Sequence, residues 1–224
     1  MIASTIKIKW FHRVPKNILV VLCRCFFVCV ASVLAGCGGL LGLNGADSPI
    51  QSFVFDTPAP ENKLKSPGDH PLIRILMPSS NAVFDTTQMA YMERDHEMNF
   101  FAHSAWIARP AEMLLPLILR DLEATGEFEI SVQVIGVEAD FHVHTLILNV
   151  YQDFRKKPSI VQVTIKVAVV EAATRQLLGA KTFVEIEPAS SDDSYGGVKA
   201  INQALARIMK QLVDFVHVSV EQRS

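Results

Sequence analysis

The side chain in this sequence whose surroundings give it the most specific chemistry is the thiol of Cys37. It follows Leu34-Ala35-Gly36. Small residues directly ahead of a cysteine fit a narrow peptidase cleft, and the thiol then accepts a diacylglycerol. Upstream lie the cations Lys7, Lys9, Arg13 and Lys16, then an apolar run over residues 18 to 33 interrupted only by Arg24. Basic segment, apolar segment and small residues in that order make a cleaved signal rather than a permanent span. Cleavage falls between Gly36 and Cys37, and Cys37 becomes the lipidated N-terminus. Each buried methylene contributes about 0.8 kcal/mol, so several acyl chains hold a protein firmly at a bilayer.

Other residues with chemical potential sit in patterns of lower specificity. His142 and His144 share one face of a strand at period two, with Asp140 beside them, but no established metal-ligand spacing accompanies them. Asp95-His96-Glu97 combines acid and base types in a hairpin connection, where consecutive residues face different ways. The run Ser190-Ser191-Asp192-Asp193-Ser194 lacks the glycines of a nucleophile elbow and reads as a helix-capping turn. Tyr195-Gly196-Gly197 has no following Lys-Ser or Lys-Thr pair for a phosphate loop. The expectation is a protein with no catalytic residues, no metal and no cofactor beyond the covalent lipid on Cys37.

Removal of residues 1 to 36 leaves 188 of the 224 residues. Five of the 21 Lys and Arg residues leave with the signal and no acid does, so the mature chain is formally −7 and nucleic acid is an unsuitable partner. Cys23, Cys25 and Cys29 also leave. The folded part therefore has no free thiol for a disulfide, a thiolate metal site or a nucleophile.

The elements that must position any site follow from periodicity. Residues 37 to 50 are a Gly-rich tether, reaching at most about 45 Å from Gly38 when extended. Residues 51 to 218 form one domain, followed by a tail over 219 to 224. Strands are expected at 51–56, 72–76, 88–92, 98–107, 128–134, 141–154, 160–171 and 177–187, the clearest carrying Val161, Val163, Ile165, Val167 and Val169 in alternation. Pro71, Arg74 and Pro78 mark 72–76 as a protected sheet edge. Helices are expected over about 110–125, with a kink at Pro116, and 194–218, capped by Asp193 or Ser194. The sum is an α+β fold, a mainly antiparallel sheet with two packed helices. Apolar residues on both faces of 141–150 and 167–170 fit a covered core sheet better than a lipid groove.

Three blocks in the front half, Phe84-Asp85-Thr86-Thr87-Gln88-Met89-Ala90-Tyr91, Phe100-Phe101-Ala102-His103-Ser104-Ala105-Trp106 and Pro110-Ala111-Glu112-Met113-Leu114, precede a second set. That set is Tyr151-Gln152-Asp153-Phe154, Pro158-Ser159, Thr174-Arg175, Phe183 and Asp193-Ser194-Tyr195-Gly196-Gly197-Val198. In this order behind a lipidated cysteine, the chain resembles the ABC-type transport auxiliary lipoprotein family. Ala105 stands before Trp106 where relatives often carry a basic residue. The resemblance implies an envelope lipoprotein that accompanies an ABC ATPase, a permease and a substrate-binding protein with mammalian-cell-entry (MCE) domains. Such systems move phospholipids or other hydrophobic compounds between the inner and outer membranes. A structural lipoprotein scaffolding another periplasmic assembly and a lipid- or wall-modifying enzyme are the alternatives.

Tyr91, Phe100, Phe101 and Trp106 crowd one hairpin and its exit, and aromatic residues dominate many interfaces. They are the expected partner surface, with a homo-oligomer or the MCE-domain protein held through a sheet edge or the hairpin face. Gly38 after the cysteine, in place of an acid, directs the lipoprotein to the outer membrane under the sorting rule of many Gram-negative bacteria. Cys37→Ser is expected to abolish both lipidation and cleavage at Gly36, because the acyl acceptor is lost while the hydrophobic segment stays. Incorporation of radiolabelled fatty acid by the variant would refute this.

Overall fold

The structure, a computed structural model, describes residues 49–64, 69–132 and 138–223. The signal segment, Gly36, Cys37 and the tether as far as Ser48 lie outside them. The element order is β1 (Gln51–Phe53), β2 (Leu72–Ile75), β3 (Ser79–Ser80), a 3-10 turn (Ala82–Phe84), β4 (Gln88–Arg94), β5 (Glu97–Trp106), α1 (Pro110–Glu123), β6 (Glu129–Ser131), β7 (Phe141–Asp153), β8 (Ile160–Glu171), β9 (Leu177–Pro188) and α2 (Ser194–Glu221). No helix among the described residues is long and apolar enough to cross a membrane.

The fold is α+β, one nine-stranded sheet with two helices. Strand β7 is its axis. One side of β7 pairs with β8 in a long antiparallel ladder, and β8 pairs with β9 in the same way. The other side takes β2, β3 and β4 in turn, all parallel. The sheet is thus mixed: its long ladders are antiparallel, and its short strands join in parallel. Strand β2 is not an edge, since β6 pairs along its far side in parallel. The flanking prolines and Arg74 suggested an edge because a partner more than fifty residues away leaves no local trace. The sheet branches at β7, so its terminal strands are β9 on one side and, on the other, β1, parallel to β5, and β6, parallel to β2.

Local chemistry explains the helices. Pro110 occupies the first position of α1, where its missing N–H costs nothing, and the Arg109 N–H donates to Glu112 Oε2 at 3.2 Å. The helix is continuous through Pro116, whose ring sits on the exposed side. It gives way to a turn in which Gly126 adopts a φ of 68°, a conformation that glycine takes without steric cost. Asp193 caps α2 by accepting the Gly196 N–H at 2.7 Å. From there Ile201, Leu205, Ile208, Met209, Leu212, Val216 and Val220 are buried. Each such side chain contributes about 1.5–3 kcal/mol. Half-exposed ion pairs such as Arg207 Nε with Glu185 Oε2, at 2.7 Å, contribute about 0–1 kcal/mol, so apolar burial docks α2.

In β8 the expected alternation places Val161, Val163, Ile165, Val167 and Val169 in the core, each 0–1% exposed. Their neighbours Gln162, Lys166 and Ala168 are half-buried or exposed on the other face. In β7, Phe141, Val143, Thr145, Ile147 and Val150 are buried, while His142, His144 and Leu146 remain at least partly accessible. One covered face and one half-open face describe this sheet, in place of a groove lined on both sides.

The α2 N-terminus approaches β7 so closely that a Cβ on Gly197 would lie 2.1 Å from Gln152 Oε1. Gln152 is 2% exposed and cannot swing aside without giving up its 2.9 Å bond from Nε2 to Ser159 Oγ. Gly197→Ala should therefore destabilise the domain by about 1–3 kcal/mol, as overpacking does. The check is a fall in the urea midpoint at unchanged m-value; an unaltered midpoint would contradict the contact.

Candidate functional site

The motif blocks from the two halves of the chain converge at the hairpin β4–β5, the end of β7 and the start of α2. Strand alternation sends Phe100 and Phe101 to opposite faces. On the Phe101 side, Tyr91 stands 4.7 Å from the Phe101 ring and 5.7 Å from that of Phe154, and Phe101 and Phe154 are 6.0 Å apart. Centroids at these spacings, two of the three pairs edge-to-face, are the favoured aromatic geometry. All three rings are half-buried. They line a hollow of about 470 Å³ whose rim carries Glu93, Lys157 and Asp192.

Polar bonds fix this surface. Asp153, at the end of β7, accepts Arg155 Nε at 2.8 Å on Oδ1 and Arg155 Nη2 at 2.7 Å on Oδ2, a two-point fork. The same guanidinium donates from Nη1 to Asp95 Oδ1 at 2.5 Å, tying the β4–β5 turn to β7. Asp192 accepts the Ser159 N–H at 2.7 Å and pairs with Lys157 at 3.2 Å. Ser104 and Ser194 share a hydroxyl bond of 2.8 Å, joining β5 to α2. Arg155 holds the Asp153 carboxyl below the usual carboxylate range, the Ser159 N–H does so for Asp192, and the Gly196 N–H for Asp193.

The four expected interface aromatics thus have different fates. Trp106 is 3% exposed and packs edge-on to Phe55 at 4.9 Å, so it belongs to the core and offers no surface. Phe53 is its partner in the β1–β5 pair, and the chain just beyond β1 lays Phe55 against its ring. Phe100 faces away from Tyr91 and Phe101. Phe154, Arg155, Lys157 and Asp192 complete the surface without having been expected there from the sequence. Phe154 did stand in the Tyr151–Phe154 block, but only the parallel register Tyr91↔Gln152 brings it beside the hairpin.

The remaining candidates are structural. Asp95 is held by Arg155, Glu97 accepts Asn99 Nδ2 at 2.9 Å, and His96 occupies the turn at a φ of 64°. Ser191 donates to Asp193 Oδ1 at 2.8 Å within the cap. A Cβ on Gly196 would lie 2.3 Å from the Ser191 carbonyl oxygen, so both glycines of the Tyr195-Gly196-Gly197 run serve close packing. His142 pairs in register with Arg74, and burial, then Arg74, then His144 lower its pKa. A guanidinium beside the imidazole opposes a bound cation. Asp140 instead accepts the Leu72 N–H at 2.7 Å. A hollow of about 900 Å³ here is lined largely by charged groups, among them Arg74, Glu138, Glu171 and Arg223, which does not suit acyl chains.

The chain belongs to the family of ABC-type transport auxiliary lipoprotein components, which it matches over residues 53–213. No curated protein matches it. Among solved structures it is similar to protein XCC0632 from Xanthomonas campestris, at 15% identity and a TM-score of 0.67, covering 77% of this chain and 98% of that one. It is also similar to a structure described only as an uncharacterized protein, at 10% identity and a TM-score of 0.61, covering 75% and 99%. Identities this low establish a shared fold.

The depressed carboxyls set a pH dependence. A carboxylate whose pKa is lower folded than unfolded adds stability that is complete above its ordinary value of about 4 and is lost as pH falls through the folded value. Asp153, Asp192 and Asp193 all act in this sense. The expected outcome is a urea midpoint that declines below about pH 4, with a smaller decline in Asp153→Asn; identical acid profiles for the two proteins would contradict it.

Proposed function

We propose that the protein is a periplasm-facing lipoprotein anchored in the outer membrane through Cys37, serving an ABC/MCE-type system that moves phospholipids or other hydrophobic compounds between the two membranes. It carries no chemistry of its own in this reading and acts by binding. Family membership supports the role of transport auxiliary. The observation that carries the choice of surface is the convergence of both motif sets on Tyr91, Phe101 and Phe154. Three half-buried rings beside a rim of fixed charges have the composition of a binding hot spot: large apolar area, few torsions to freeze and a polar border. The partner in this reading is the MCE-domain substrate-binding protein that works with the permease and ATPase. Apolar cargo must cross water between two bilayers inside a protein-lined path, and an anchored domain that grips one end of that path keeps it in register with the membrane. A scaffold for a different envelope assembly would use the same surface, so the partner's identity discriminates the two.

A photo-crosslinking residue at Ala102, exposed beside Phe101, tests the proposal in cells, with capture of an MCE-domain protein as the expected result. Tyr91→Ala with Phe101→Ala should then weaken that association by at least about 30-fold, the scale of a hot-spot loss of about 2 kcal/mol. Capture of an unrelated envelope protein would favour the scaffold, and fractionation wholly to the inner membrane would overturn the proposed anchoring.

A further inference from the structure

Strand β9 is bonded to β8 along its length, from Pro188 opposite Ile160 to Leu177 opposite Val170. Among the described residues it pairs with no other strand. Its far side is therefore a twelve-residue sheet edge of backbone N–H and C=O groups. Proteins ordinarily shorten, cover or charge such an edge, because it templates strand addition. At the other edges of the sheet, the terminal strands β1 and β6 have only three residues each. The β9 edge is long, and its solvent face is apolar where it should be guarded: Val184 is 52% and Ile186 54% exposed.

We propose that two copies of the protein join β9 to β9 in antiparallel fashion about a two-fold axis through Val184, extending one sheet across the dimer. The axis lies perpendicular to the sheet, so each residue meets one that points to the same face. Val184 then lies against its own counterpart, and Thr182 meets Ile186. On the opposite face Lys181 meets Glu187, twice over by symmetry. Lys181 makes no ion pair within the chain among the described residues, its ammonium resting 5.1 Å from the Phe183 ring centroid. Glu187 engages Arg207 through Oε2 and keeps Oε1 for another donor. A register centred one residue earlier would aim Lys181 at Glu185, whose oxygens are already taken by Arg207 and by Gln211. Charge complementarity therefore selects the Val184 register.

The ends of the strand agree with this overlap. Pro188 has no N–H to donate and closes the edge at one end. The ladder irregularity between Val169 and Val170, opposite Gly179 and Leu177, closes it at the other. What lies between, Lys181 to Glu187, is the stretch the two-fold pairs. A contact of one strand and a few side chains is at the small end of specific interfaces, so the dimer forms in the micromolar range in dilute solution. The inference is independent of the transport reading, because the hairpin surface lies at the other end of the sheet order.

Sedimentation velocity of the detergent-solubilised full chain over about 1–200 µM should show a monomer–dimer equilibrium. Lys181→Glu sets acid against acid and should raise the dissociation constant at least tenfold. Adding Glu187→Lys should restore it. If Lys181 merely guards the edge, its replacement will leave association unchanged or increase it, and the proposal fails. A second readout does not rely on those variants: with Cys23, Cys25 and Cys29 replaced by Ser, Val184→Cys should give a disulfide-linked dimer under mild oxidation and Thr182→Cys should not. A strict monomer, equal crosslinking at the two positions, or a larger assembly in which Val184→Cys fails to crosslink would each overturn the two-fold β9 pairing.

Discussion

The approach of the α2 N-terminus to the end of β7 is the contact on which the rest of the structure depends. It is possible only because position 197 has no side chain, which lets the helix backbone rest on Gln152. Gln152 in turn holds Ser159, and the Ser159 N–H holds Asp192, the residue before the helix cap. The cap, the turn after β7 and the strand end thus form one closed set of bonds. Because α2 is fixed there, its apolar stripe falls across β8 and β9, and its first residue, Ser194, bonds Ser104 of the hairpin. The aromatic hollow opens beside this cap, with Asp192 and Asp193 among its lining. Both carboxylates are held at the helix start by charge-assisted bonds.

Strand β7 explains how so short a set of parallel strands can exist. Isolated two- to four-residue parallel pairs have little to hold them, yet β2, β3 and β4 each lean on a strand already secured by β8 along its whole length. The ordering entropy of β7 is met once, by the β8 ladder and the core valines, and the short strands add to a surface that is already rigid. The parallel β4–β7 register is functionally the most consequential of these pairings, since it alone carries Tyr91 to Phe154.

Periodicity and capping chemistry made much of this legible in the sequence. The alternation from Val161 to Val169, the Pro110 start and the Asp193 cap are local signals, written within a few residues of the feature they specify. The α+β class follows from them. What was not legible is pairing over distance. Nothing near Leu72–Ile75 shows that β6 will cover its far side, so its prolines and Arg74 suggested an edge. Nothing near Trp106 shows that β1 will swing Phe55 against it, so a core residue resembled an interface anchor. The alternation of Phe100 and Phe101 does separate their faces in the sequence itself. Without a register, though, neither face has an identity. The aromatic site was therefore half readable: Tyr91 and Phe101 by composition, Phe154 only by structure.

The edges of the sheet differ in a way that bears on assembly. The chain enters the domain at β1, an edge kept to three residues and stitched to α2 by Asn202, whose Oδ1 accepts the Asp56 N–H at 2.9 Å. That end has little backbone left to offer. The β9 end carries the long unpaired edge, with α2 bound only to its inner face through Glu185 and Glu187. In the proposed reading, a domain that grips a partner through the hollow at the α2 N-terminus and a second copy through β9 keeps these contacts on separate backbone elements, so neither must be released for the other to form. Clustering copies near one membrane then raises the number of hollows presented to any partner with repeated subunits. The gain is one of effective concentration rather than of stronger contact, which suits a weak edge and a small aromatic patch.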